Sequence, residues 1–213
     1  VNGQPETQYK ITPQQLEAVI TPKTRLLFLN SPSNPTGAVY SKQELEALAR
    51  VLESHPRIMV LSDEIYEYII YEGEHVSMAA FSWMKERVMV VNGFSKGFAM
   101  TGWRIGYVAG PLWVARACAK LQGQQTSGAC SIAQMAAVTA YANGMEAPLA
   151  MREAFLRRRE LMLNLASQIE GLEVQTPPGA FYLFPDVRAF LGKRDGSRLI
   201  EDANDLSMYL LEK

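Results

Sequence analysis

The 213 residues carry a formal net charge of −1, are 48% hydrophobic and 20% charged, and include two cysteines. That balance suits a globular chain and leaves no net field to draw in nucleic acid or an anionic membrane surface. No apolar run approaches the roughly 18 residues that span a bilayer, and no signal peptide is visible, so a soluble, cytoplasmic protein without nucleic-acid or membrane partners is expected.

In chain order, Thr12, Pro13 and Gln15 predict a helix start: an N-cap, a proline at the first helical position and a glutamine three residues after the cap. The helix carries Leu16, Val19 and Ile20 and stops before Pro22. Leu26 to Leu29 reads as a buried strand that empties into the turn-forming stretch Asn30 to Gly37. Ser41 and Glu44 make a second capping box, opening a helix with Leu45, Leu48, Ala49 and Leu52 on one face. Ile58 to Leu61 and Val88 to Val91 read as further buried strands. Strands alternating with helices predict a parallel sheet covered on both faces, with ligands at the carboxyl ends of its strands.

A fourth run, Ile105 to Ala109, follows the third after only about a dozen residues, too few for a comfortable parallel crossover. An antiparallel neighbour is expected, and its first residues then share an edge with the ends of the parallel strands. Pro111 to Gln122 and Ser131 to Tyr141 read as helices, the second with Ile132, Met135, Ala136 and Thr139 on one side. Glu146 to Ile169 is a longer helix whose Met151, Phe155, Met162, Leu165 and Ile169 are expected in the core, and whose Arg157 to Arg159 are expected to face solvent. Gly171 stops it. Short strands are expected at Leu172 to Gln175 and Ala180 to Phe184, a polar loop at Gly192 to Ser197, and a last helix through Leu206 and Leu210. Cys118 and Cys130 lie in alanine-rich segments, and His55 and His75 have no partner at metal-ligand spacing, so no metal is expected.

Polar positions follow the first three strands, Asn34, Asp63 with Tyr66, and Lys96, and a fourth, Arg104, immediately precedes the antiparallel run. An amine can form a Schiff base with an aldehyde, and a guanidinium fork suits a phosphate. A carboxylate stabilises a protonated ring nitrogen, while a phenol and an amide hydrogen-bond a ring oxygen. Pyridoxal 5′-phosphate has all four complementary features, and with its nitrogen protonated its ring acts as an electron sink.

The stretches Pro32-Ser33-Asn34-Pro35-Thr36-Gly37 and Ser62-Asp63-Glu64-Ile65-Tyr66, and Asn92 to Tyr107 with Lys96 and Arg104 eight apart, resemble the class I/II, fold-type I, pyridoxal-phosphate-dependent aminotransferases. The flavour is that of prokaryotic-type aspartate aminotransferases. Gly179-Ala180-Phe181-Tyr182 resembles that family's entry into its small domain. The resemblance implies an α/β three-layer sandwich with a mostly parallel sheet and one antiparallel strand. Residues 1–145 would be part of the cofactor-binding large domain, 146–169 an interdomain helix, and 170–213 part of a small α+β domain.

The activity implied is transfer of an amino group between an L-amino acid, aspartate first, and a 2-oxo acid such as 2-oxoglutarate, in a homodimer. By resemblance Lys96 holds the cofactor and shuttles a proton, Asp63 binds the pyridine nitrogen, and Tyr66 binds the 3′-oxygen. Asn34 touches that oxygen and the substrate α-carboxylate, and Arg104 binds phosphate. Many relatives place a phosphate-binding serine where this chain has Gly93, which leaves Ser95 as the candidate for that contact. The family's N-terminal phosphate turn, its stacking aromatic and its C-terminal carboxylate-binding arginine have no match here; Arg194 and Arg198 are in the wrong context. The isolated chain is therefore expected to be a partial, inactive fragment. The alternative function is a cofactor-binding sensor domain of a transcription regulator.

Overall fold

The computed structural model describes residues 3–213. Four strands form its main sheet: β1 (Leu26–Asn30), β2 (Met59–Asp63), β3 (Val88–Gly93) and β4 (Gly106–Ala109), in that spatial order. β1, β2 and β3 run parallel, and β4 runs antiparallel to β3 with Gly93 opposite Gly106. The short link between β3 and β4 thus has the consequence expected of it. The carboxyl ends of β1, β2 and β3 and the amino end of β4 share one edge.

One face of this sheet carries the core. Leu29, Val60 and Val88 pack there against Leu45, Leu48, Ala49 and Leu52 of α2 (Lys42–Glu53) and against Met78, Phe81 and Met84. The 3.6-residue spacing of those α2 positions puts all four on one stripe, and each is at most 1% exposed. Both expected capping boxes form: Gln15 N–H donates to Thr12 Oγ1 at the start of α1 (Pro13–Val19), and Glu44 N–H donates to Ser41 Oγ. At the other end of α2, Arg87 donates to the carbonyls of Leu52 and His55, satisfying groups a helix terminus leaves open.

β1 is less buried than its composition suggests. It lies at the sheet edge, and residues of alternate parity point to opposite faces. Leu27 and Leu29 join the core, whereas Leu26 and Phe28 on the other face are 49% and 61% exposed.

After β4 come α3 (Leu112–Gln125), α4 (Ser131–Asn143) and α5 (Glu146–Ala166). α4 buries Ala133 and Ala137, not the side carrying Ile132 and Met135, which face solvent. α5 ends three residues before the expected Ile169. Its Phe155 packs inward, but Met162, Leu165 and Ile169 are each about half exposed, so the core expected from their spacing is not made within this chain. Arg159 departs from the expected solvated face. Its guanidinium pairs with Glu72 at 2.8 Å and Glu160 at 2.7 Å, donates to Pro177 O, and lies 4.8 Å from the Tyr71 ring centroid.

The C-terminal part contains two small antiparallel pairs, β5 (Glu173–Val174) with β6 (Pro185–Asp186) and β7 (Arg194–Asp195) with β8 (Arg198–Leu199), followed by α6 (Ala203–Glu212). The polar loop expected at Gly192 to Ser197 is a hairpin, because Gly196, at φ +60°, supplies the backbone conformation a two-residue turn needs. Ala180 to Phe184 is not a strand. Its Ala180 N–H donates to Ile69 O beside an isolated bridge between Gly179 and Ile70, and Ala180 turns left-handed at φ +56°.

Candidate active site

Lys96 lies in a turn that leaves β3 and re-enters the sheet at β4. Main-chain bonds from Met100 N–H to Phe94 O (3.1 Å) and from Phe94 N–H to Ile105 O (3.4 Å) close it. Phe94 and Phe98 pin the turn against Tyr141 of α4, with ring centroids 4.7 and 5.6 Å apart, and Phe98 also packs on Tyr68 at 5.4 Å. Ala99 and Arg104 take left-handed φ values of +53° and +50°, each costing a non-glycine residue roughly 1 kcal/mol or more. Aromatic packing on both sides offsets that strain and fixes the lysine's origin.

The Lys96 ammonium lies 5.7 Å from the Tyr66 ring centroid and 5.5 Å from that of Phe181. None of the ion pairs among the described residues engages Lys96 or Arg104. A half-buried amine among aromatic faces, tied to no carboxylate, is available to a ligand.

Asp63 ends β2, opposite Asn30 of β1 and Val91 of β3. Burial pushes its carboxyl above the ordinary carboxylate range; the Ile65 N–H, donating at 3.2 Å, opposes this, and the charge on Glu64 adds to it. Glu64 itself points into the body of the protein. It accepts from Ser62 Oγ at 2.8 Å and Ser77 Oγ at 2.6 Å, and meets His75 Nε2 at 2.9 Å. That buried carboxylate holds the turn from which Asp63 and Tyr66 project.

Tyr66 is 2% exposed, and its hydroxyl is hydrogen-bonded to that of Tyr182. Burial first, then the Tyr182 hydroxyl and the Asp63 charge, hold the Tyr66 phenol above its usual range; the Asn34 amide pulls the other way. Asn34 is on an exposed loop, yet the loop is anchored on the site itself. Its N–H donates to Asn30 Oδ1 at 2.7 Å, and both Asn30 Nδ2 and the Ser31 N–H donate to the carbonyl of Asp63 at 3.1 Å.

The structure thus brings Asn34, Asp63, Tyr66 and Lys96 to one edge. Arg104 is on that edge at the start of β4, exposed, with its guanidinium donating to Thr101 O at 2.8 Å and bonded to none of the other four. Ser95 is half-buried in the lysine turn. A serine at position 93 would not fit there: a Cβ would lie 2.9 Å from Gly106 Cα and 3.0 Å from Ile105 O.

Three neighbours of the site were not among the expected residues. Asn30 anchors the Asn34 loop, Phe181 walls the lysine, and Tyr182 holds the Tyr66 hydroxyl. The last two arrive from more than a hundred residues downstream through Ala180 N–H to Ile69 O (2.8 Å) and Gly179 N–H to Gly37 O (3.0 Å). Phe155 of α5 stacks behind Phe181 at 5.0 Å. The sequence signal for them was an aromatic pair one residue beyond a glycine, in Gly179-Ala180-Phe181-Tyr182, which points to a close chain approach without naming its partner.

An amine, a carboxylate with no basic partner, a phenol, an amide and a guanidinium at one strand-end edge is a donor and acceptor set for an aldehyde-bearing, phosphorylated heterocycle. The profile of the family described as aminotransferase class I and II matches residues 1–213. The chain belongs to the class I and II aminotransferases.

It is 48% identical over 211 residues to the bifunctional aspartate aminotransferase and glutamate/aspartate-prephenate aminotransferase of Petunia hybrida, covering 96% of this chain and 44% of that one. It is 43% identical to the aspartate/prephenate aminotransferase of Cereibacter sphaeroides, covering 98% and 53%. Among solved structures, the aspartate aminotransferase of Rhizobium meliloti superposes with a TM-score of 0.94 at 42% identity, over 99% of this chain and 53% of that one. The chain spans about half the length of the curated relatives it matches.

Class I and II aminotransferases use pyridoxal 5′-phosphate, and the residues present fit it. The half-buried Asp63 carboxylate has no cation partner among the described residues, as a pyridinium site requires. Lys96 and Arg104 are likewise uncommitted to any acid.

Proposed function

We propose that the protein carrying this chain is a pyridoxal-phosphate-dependent transaminase that moves an amino group between an L-amino acid and a 2-oxo acid. The observation that carries this reading is the convergence of Lys96 with Asp63, Tyr66 and Asn34 at one strand-end edge. When bound, the cofactor supplies an electron sink that stabilises negative charge at the substrate α-carbon. Asp63 keeps the ring nitrogen protonated, because an anion beside it raises that nitrogen's proton affinity. Tyr66 and Asn34 donate to the 3′-oxygen, Arg104 and Ser95 hold the phosphate, and Asn34 also orients the substrate α-carboxylate.

Lys96 would hold the cofactor through its aldehyde. Its amine, once free, would be the group that moves a proton at the substrate α-carbon. The aromatic walls Tyr66 and Phe181 limit water around that amine.

Aspartate is the first substrate proposed, with 2-oxoglutarate as acceptor; the names of the Petunia and Cereibacter relatives support aspartate. We place residues 1–145 in the large domain, 146–169 in the interdomain helix and 170–213 in the small domain. A cytoplasmic homodimer is the assembly proposed; no helix among the described residues is long and apolar enough to cross a membrane. The 213 residues alone are proposed to be inactive, since no match to the family's carboxylate-binding arginine is found in them. Loading the full polypeptide that carries this chain with pyridoxal phosphate should produce a visible absorbance that Lys96→Ala abolishes. An unchanged spectrum in that variant would sink the assignment.

A further inference from the structure

The Tyr66 hydroxyl has one hydrogen to donate and two lone pairs to fill. At 2% exposure it has little access to water, so its partners come from the protein. Every polar group facing it can be named. Tyr182 meets it through its hydroxyl, and Asn34 acts on it through its amide, favouring the ionised form. Asp63 contributes a nearby charge, and Lys96 lies over the ring at 5.7 Å without taking the oxygen.

If Tyr66 gives its single hydrogen to a ligand oxygen, Tyr182 is left to donate. This rests on the reading above, in which that ligand oxygen is the 3′-oxygen of the cofactor. We propose that Tyr182 is a positioning residue: its hydroxyl donates to the Tyr66 oxygen and leaves the Tyr66 hydrogen for the 3′-oxygen. A donor feeding a second donor polarises it, strengthening the second bond by about 10–30%.

The placement of Tyr182 is fixed independently of that bond. Its ring packs on Phe181 at 4.9 Å and on Tyr66 at 5.6 Å, edge to face with the latter. Ala180, two residues earlier, is fully buried, and its N–H is bound to Ile69 O. Tyr71 donates its own hydroxyl to the Ala180 carbonyl. Removing only the Tyr182 oxygen therefore leaves these ring contacts in place, which separates a hydrogen-bond role from a packing role.

The test is Tyr182→Phe in the full polypeptide loaded with pyridoxal phosphate, titrating the visible absorbance against pH. A donor to the 3′-oxygen stabilises negative charge there and lowers the proton affinity of the adjoining lysine–cofactor nitrogen. Weakening it moves the midpoint upward, by roughly 0.2–0.6 pH units for the polarisation of one charge-assisted bond. Tyr66→Phe should move the midpoint further, and adding Tyr182→Phe to it should move it no more.

A second readout needs no covalent linkage: equilibrium dialysis of pyridoxine 5′-phosphate, which lacks the aldehyde, should show about two- to fourfold weaker binding to Tyr182→Phe. An unmoved midpoint, or an equal shift in the Tyr66→Phe background, overturns the proposal. Should Lys96→Ala keep the absorbance, it is the transaminase reading that fails, while the pyridoxine phosphate measurement still reports on Tyr182.

Discussion

Asp63 is half-buried at the end of β2, and its charged form there works against the fold. Burial raises its proton affinity, so the folded chain holds that proton more tightly than the unfolded chain does. The sign of the pH effect follows. The contribution of the neutral carboxyl is present below the ordinary carboxylate pKa and is lost as pH rises through the raised value. In the protein without cofactor, Asp63→Asn should therefore raise the melting temperature at neutral pH, and the gain should vanish in acid below the ordinary range. A variant that melts lower than its parent at neutral pH would contradict this. With cofactor the order should reverse, since the amide cannot stabilise a pyridinium. At this scale Asp63 and Tyr66 were legible because three residues of chain put them in one turn. Phe181 and Tyr182 were not, because a contact across more than a hundred residues leaves no periodicity to read.

The elements that were legible are those whose burial is decided locally. α2 has its capping box and four core positions at helical spacing, and the structure buries all four. Ile105 to Ala109 was legible through the length of its connection, which limits the direction of pairing. The stretch from Ala180 to Phe184 was misread because its apolar residues serve other contacts than a strand's: Ala180 a loop bridge, Phe181 the lysine, Tyr182 the tyrosine. The Asn30 to Gly37 loop depends on the same seam. Gly37 has φ +70°, and a Cβ there would lie 2.4 Å from Pro177 Cβ and 2.7 Å from Gly179 O. Gly37→Ala should cost about 1–3 kcal/mol in denaturant unfolding, from left-handed backbone and overpacking together. It should also weaken cofactor binding, because the Gly179 N–H that docks the Phe181–Tyr182 segment donates to Gly37 O. Stability within about 0.5 kcal/mol of the parent would show that the seam yields freely.

Across the whole molecule, the chain combines one well-filled core with broad apolar surface. Leu48 and Val60 are fully buried, yet Phe28, Trp113, Ile132 and Met135 are each more than 60% exposed. These exposed side chains lie on β1, α3 and α4, and the curated relatives and solved structures named above are about twice as long. Amphipathic patterning showed which residues are apolar, but not which of them this chain would cover, so the core expected of α5 is met at Phe155 and not at Met162, Leu165 or Ile169. The proposed chemistry sits where the well-packed part ends, on the edge shared by β1, β2, β3 and β4.

Lys96 is proposed as the amine this edge presents to an aldehyde. That role is tested most directly by loading the full polypeptide with pyridoxal phosphate, reducing with borohydride to fix the pyridoxyl group, and mapping the labelled peptide by mass spectrometry. A single stoichiometric label on Lys96 is expected; a label on another lysine, or none, would contradict that role.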